Sequence, residues 1–539
     1  MLTCALASAL LVAGCGGSSS GQRRAGEPPA MMLMATAPNS LDPAAGNNPE
    51  ALEVDWLVYT PLLTYAHVTG VIGTHVIPGL AETLPGISGG GRIYSLTLRP
   101  GLKYSSGQPV RATDFTLAVE RAIKLWSGAA QITSRVAGAS AFAHGRAKAI
   151  SGIAANDSTG QITITLTAPD GTFENLLALP SLAPVPAGTP FTNEQTPPPG
   201  LGPYTFGAVD PGRSFSLIDN EGWAKLGVQG VPAARLDVDV RVTGDAAANA
   251  QSVLNGSADV FDWPDQIPAG QLAEIKGTAS SRYFPRAMLG SELIFLNVTS
   301  KPFSNQLARE AVRAGLDQNT MAKLDGGMLR TGCYVLLPSM FGHPNSACPD
   351  GNKAGDGDLS VARNLVKNSG MAGTRVTVWS QTTSPVRQWM TYYTSLLNQI
   401  GFDATLKLVP DHSYYATIGD PRAGAQTGYG ALYQELPNPA DPYGQLTGQG
   451  NEATADHNWS QLDDPTLKAS VRALTAIPAS TIGAVADDWR QLELDVADNA
   501  YVAPFGYPTF PEFVSSRIDF RALIFSPVAG YDLSSLRLK

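Results

Sequence analysis

Between residues 375 and 409 a strand pattern, a helix pattern and a second strand pattern follow one another, and this order constrains the fold more than any other stretch. Arg375 to Trp379 and Ala404 to Val409 read as strands, and Val386 to Ile400 between them repeats apolar residues at helical spacing and stops at Gly401. A helix joining two strands carries the chain back to its starting edge, so the strands run the same way and predict a partly parallel sheet. Elsewhere the pattern alternates with period two, as in Ile93–Leu98 and Gln161–Leu166, which predicts strands with one buried face. Further helices are expected over Ala112–Leu125, with Thr113 and Asp114 in the capping region, over Leu307–Met321, and over Leu359–Lys367 before Gly370. A chain of 539 residues exceeds what one core organises, so an α/β molecule of two or more lobes is expected.

The N-terminus adds a constraint of compartment. Leu11-Val12-Ala13-Gly14-Cys15 closes a short apolar run with small residues before a cysteine, the arrangement in which a bacterial lipoprotein peptidase leaves a lipidated Cys15 as the new N-terminus. The run from Leu2 to Ala13 is too short to span a bilayer, and no later stretch has the roughly 18 unbroken apolar residues of a membrane helix. No Lys or Arg precedes Cys15, as expected of a start inside a longer precursor. Residues 16–30, rich in Gly, Ser and Pro, read as a flexible tether. An anchored protein outside the cytoplasm, on an outer face or in a periplasm, follows. Cys4 leaves with the signal, so Cys333 and Cys348 remain as an expected disulfide, for which loop closure gives roughly 3 kcal/mol. A zinc site is the rival reading, but His343 is the only imidazole nearby.

Charge and motif exclude several function classes. The net charge is −9 and the 37 Lys and Arg are scattered, which argues against a nucleic-acid partner. Gly86-Ile87-Ser88-Gly89-Gly90 fits the letters of a nucleophile elbow but precedes a strand instead of a helix, so it reads as a hairpin turn. None of the six His falls in a metal-ligand spacing, and His67 and His75 read as solvated loop residues. Asp463-Asp464 and Asp487-Asp488 read as helix starts or solvated faces, and neither a cofactor fingerprint nor a metal site is present in the sequence. A hydrolase would need a nucleophile and base that the chain does not display.

Several short motifs occur in a telling order. Ser40-Leu41-Asp42-Pro43 is followed by Tyr59-Thr60-Pro61-Leu62-Leu63, by residues 78–82 (PGLAE), by residues 94–104 (YSLTLRPGLKY), and by residues 106–115 (SGQPVRATDF). Later come Gly200-Leu201-Gly202-Pro203-Tyr204, Asn220-Glu221-Gly222-Trp223, residues 254–259 (LNGSAD), Leu296-Asn297, Phe303 and residues 309–313 (REAVR). From about residue 33 to the C-terminus this series resembles the extracytoplasmic solute-binding proteins of peptide and nickel ABC transporters, the oligopeptide- and dipeptide-binding family. The resemblance implies a bilobal periplasmic-binding-protein fold of class II, the large three-subdomain type, with mixed sheets and two hinge crossings. It further implies a first lobe of two subdomains over 31–284, a second lobe over 285–500 and a return to the first over 501–539. Such a protein encloses a peptide or similar polar solute between its lobes and hands it to permease subunits, as a monomer and without catalysis. A sugar, a metal chelate or a sensory role on the same scaffold stays open.

The family holds a peptide's α-ammonium with an acidic residue in a W-x-x-D-Y-x-D-P segment, and residues 432–442 (LYQELPNPADP) fit that segment in two registers. One puts Glu435 at the ammonium-binding position with Leu432 in place of Trp. The other makes Asp441-Pro442 the terminal D-P and puts Asn438 at the anchor. Tyr433, Trp379 at the end of its strand, and Trp263 after Asp262 are further candidates for covering a ligand, with burial in a core as the alternative.

Overall fold

The computed structural model describes residues 27–193, 195–349, 355–449 and 457–539. Cys15 and most of the tether lie outside the described residues. Among those described, no helix is long and apolar enough to cross a membrane.

The first lobe is built on the strand Ala30–Met34, whose Ala30, Met32 and Met34 are fully buried. It lies parallel to Val238–Val242 on one side and to Val260–Phe261 on the other, and Ser214–Asp219 and Tyr204–Asp210 extend the sheet antiparallel. Tyr204 of the G-x-G-P-Y turn donates its hydroxyl to the carbonyls of Leu236 and Leu533, both at 2.9 Å, tying the sheet to the chain's end. A second, antiparallel sheet runs in the order Gly86–Ser88, Ile93–Thr97, Gln161–Thr165, Ile153–Asn156. There the period-two pattern works as expected: Tyr94, Leu96, Ile162 and Ile164 are buried while Ser95 and Thr163 between them stay half-buried. Of the stretch read as a turn, Gly86–Ser88 is the sheet's edge strand and Gly89 and Gly90 open the turn after it, while the helix over Ala112–Leu125 stands at its expected bounds.

The second lobe holds the strand–helix–strand unit. Arg375–Ser380 runs parallel to Asp403–Leu408 and to Thr427–Tyr433, and the helix Val386–Ile400 buries Trp389, Met390, Tyr393, Leu396 and Leu397 on one face. Gly401 ends it at φ 115°, a backbone that a side chain would strain. Gly290–Leu296, buried at every residue, pairs with Thr427–Tyr433 and with the long strand Val502–Phe513. That long strand joins the lobes. Its first residues pair with Gly290–Leu296 in the second lobe and its last with Tyr283–Ala287, after which Val514 bridges to Val260 of the first sheet. The two chain crossings therefore lie side by side as paired antiparallel strands, and two separate apolar cores flank them. Cys333 and Cys348 form a disulfide with Cα atoms 5.8 Å apart.

Three expectations are corrected. The helix read over Leu307–Met321 is two helices, Gln306–Gly315 and Gln318–Leu324. Asp317 interrupts it by accepting from Thr320 N–H at 2.8 Å, starting a new helix as a cap. The helix from Ala112 is capped at Arg111, two residues before a Thr113 cap, and Asp114 reaches back to accept the Arg111 N–H at 2.9 Å from inside the first turn. His67 is not solvated: it is 3% exposed, its Nδ1 sits 2.9 Å from Asp532 Oδ2, and it stacks on Trp56 at 4.5 Å.

Candidate ligand-binding site

The segment that follows the strand Thr427–Tyr433 leaves the sheet, turns, and enters the helix Ala440–Thr447. Asp441 shapes the turn: its Oδ2 accepts the backbone N–H of Glu435 at 2.7 Å and of Leu436 at 2.9 Å, and its Oδ1 accepts from Gln445 at 3.1 Å. Burial holds the Asp441 carboxyl above the usual carboxylate range, although the two N–H donors oppose it. Asn438 accepts the Ala440 N–H at 2.9 Å and donates to Asn175 Oδ1 of the first lobe at 3.0 Å. Glu435, held by this turn, is exposed at the junction of the lobes and accepts from Gln131 Nε2 of the first lobe.

Behind Gln131 the first lobe supplies a fixed chain of charges. Arg135 Nη1 donates to Gln131 Oε1 at 2.6 Å, and Arg135 Nε donates to Asp170 Oδ2 at 2.7 Å. Asp170 in turn accepts from Thr172 N–H at 2.9 Å and from its hydroxyl at 2.7 Å. These residues and Glu435, Asn438, Asp441 and Arg472 line one cavity of about 730 Å³ between the lobes. Its wall carries carboxylates and guanidiniums together, which suits a polar molecule bearing both signs of charge.

Beside the cavity the lobes touch directly. Gly171 N–H donates to Thr475 carbonyl at 3.0 Å, and its carbonyl accepts the Ala479 N–H at 3.0 Å. Glu174 accepts from Ser480 N–H at 2.6 Å and from its hydroxyl at 3.0 Å, while burial raises the Glu174 carboxyl. His75 joins the same turn through Nε2, 3.2 Å from the Ser480 carbonyl.

The sequence candidates therefore divide. Glu435, Asn438 and Asp441 meet at the cavity; Tyr433, Trp379 and Trp263 are not among its lining residues. Trp379 is 3% exposed, in the second core, with Lys407 Nζ 3.6 Å above its ring. Trp263 packs edge-on against Phe510 at 5.0 Å, in the first core. Tyr433 is 54% exposed, and its hydroxyl donates to Glu292 Oε1 at 2.8 Å. Tyr429 donates to the other Glu292 oxygen at 2.7 Å, and burial pushes the Glu292 carboxyl up to about 7. Gln131, Arg135, Asp170 and Arg472 escaped the sequence reading, because no motif marks them and only the approach of the lobes gives them a common cavity.

Relatives agree with this architecture. The chain is 25% identical over 315 residues to the "Probable peptide ABC transporter periplasmic-binding protein y4tO" of Sinorhizobium fredii (strain NBRC 101917 / NGR234), covering 55% of each. It is 27% identical over 332 residues to the "Glutathione-binding protein GsiB" of Escherichia coli O1:K1 / APEC, covering 60% of this chain and 59% of the relative. The match thus spans a little over half the length of these curated relatives. Among solved structures, the "MppA Periplasmic Murein Tripeptide Binding Protein, Unliganded Open Form" shares the fold with a TM-score of 0.81 at 18% identity, over 96% of this chain and 99% of that one. Residues 75–451 match the family described as "Bacterial extracellular solute-binding proteins, family 5 Middle", and with its paired interlobe strands and two cores the chain belongs to that family.

Proposed function

We propose that this protein is the solute-binding subunit of an ABC importer, working outside the cytoplasm as a monomer and capturing a peptide or similarly polar solute between its lobes for a membrane permease. The observation that carries this reading is the cavity of about 730 Å³ whose wall comes from both lobes and holds Glu435 with Arg135 and Arg472. Lobes that close on a solute there exclude water, and each charged contact strengthens as the local dielectric falls. The names of the relatives, which refer to peptide and glutathione binding, support a peptide-like solute.

In this reading residues 31–284 and 501–539 form one lobe and 285–500 the other, and the paired strands Tyr283–Ala287 and Val502–Phe513 serve as the hinge. Glu435 receives the solute's ammonium, and Asp441 fixes the turn that presents it. Asn438 binds the opposite lobe instead of the solute. Lipid on Cys15 tethers the protein beside its permease, two acyl chains being enough for stable anchoring. Native mass spectrometry of the protein extracted from membranes tests both halves. We expect a protein mass raised by the lipid, and release of short peptides or another zwitterionic solute on denaturation. A lipid-free chain removes the anchor, and an apolar or uncharged solute retires Glu435 as its partner.

A further inference from the structure

We infer that Gln131 is a competitor built into the solute anchor: its amide donates to the Glu435 carboxylate, so that a solute gains from that carboxylate only by displacing a hydrogen-bond donor. The inference rests on the reading of Glu435 as the solute's anchor.

The geometry leaves Gln131 little choice. It is 3% exposed, and Arg135, with donors only, takes its Oε1 at 2.6 Å, which turns the Nε2 donors toward Glu435. Arg135 is held from behind by Asp170 at 2.7 Å, and Asp170 by Thr172. The first lobe thus presents a pre-oriented neutral donor to an anionic acceptor of the second. An arriving ammonium offers the same carboxylate a charge as well as donors and replaces the amide; a neutral donor gains nothing over it. A solute without a cation then draws no net gain from Glu435, while an ammonium keeps the part of its interaction that exceeds the amide's.

The test is calorimetric titration with trialanine and with N-acetyl-trialanine, using wild type, Gln131→Met, Glu435→Gln and the double variant. Methionine keeps the length of Gln131 and removes its donors. We expect Gln131→Met to bind trialanine more tightly, by about three- to tenfold for an exposed charge-assisted hydrogen bond. The acetylated peptide gains no more than the free one, because its neutral donor recovers from the released carboxylate at most what the amide had held, so the preference for the free form holds or widens. The gain must vanish when Glu435 is already Gln, since the pair acts through one contact. A Gln131→Met variant with unchanged or weaker affinity, while Glu435→Gln loses trialanine, overturns the role of Gln131 alone. Equal trialanine binding by Glu435→Gln and wild type, or no binding of either peptide by wild type, overturns the anchor reading and this inference with it.

Discussion

Glu53 and Asp262 are fully buried in the first lobe, and neither meets a cationic side chain among the described residues. Burial is the main cause that raises both carboxyls well above their ordinary range, and the nearby acids Glu50 and Asp265 add to it. The folded protein therefore keeps a proton on this pair at pH values where the unfolded chain, with ordinary values of 4.5 and 3.8, has lost it. A raised carboxyl contributes stability below the unfolded value, and that contribution is lost as pH climbs toward the folded one, at about 1.4 kcal/mol for each pH unit and group. Stability should accordingly fall between pH 5 and pH 8, and Glu53→Gln, which carries no charge to lose, should flatten the fall. We expect the variant to match wild type near pH 4 and to exceed it by about 1–3 kcal/mol at pH 8 in urea titrations. A variant less stable than wild type at pH 8 would show that the pair is held as an anion. Nothing local in the sequence marks these two carboxyls, 209 residues apart, as neighbours.

At the scale of elements, the contact between the segment at Gly171 and the turn before Ala479 depends on a missing side chain. A Cβ at Gly171 would lie 1.9 Å from the Ile477 carbonyl oxygen and 2.3 Å from its carbon, backbone atoms that cannot swing aside. Gly171→Ala must therefore part the two segments and lose both backbone hydrogen bonds, at a cost of about 1–3 kcal/mol. Hydrogen exchange at the Ala479 amide should quicken with a lowered melting temperature, and unchanged exchange there would contradict the contact. Elements of this size were legible where periodicity and a terminator agreed, as in Val386–Ile400 with Gly401. The break between Gly315 and Gln318 was not, because partners far along the chain reinforce it. Gln318 N–H donates to Gly355 carbonyl at 2.9 Å and Asp358 N–H to Ala314 carbonyl at 2.8 Å, bonds that a continuous apolar pattern does not foretell. Strand alternation likewise placed Trp379 at a sheet end but did not tell which face its ring takes; it takes the core.

For the whole molecule, ordered motifs carried the fold: a bilobal architecture followed from pieces that are each weak, and the two side-by-side crossings make it mechanically a hinge. The cavity was only half legible. The turn over 432–442 could be found by its letters, but its facing wall could not, since Gln131 and Glu435 stand 304 positions apart and Asn175 and Asn438 stand 263 apart. Binding between lobes is a property of their approach, and each lobe's sequence encodes its own core far more strongly than the surface it will share. The central claim is that a polar solute sits in this interlobe cavity against Glu435. The most direct measurement is a crystal structure of the protein with the solute it carries from the cell. The account predicts density between the lobes, with a cationic group within hydrogen-bonding distance of Glu435 and Gln131 displaced from it; a solute bound elsewhere, with the Gln131–Glu435 contact intact, would contradict it.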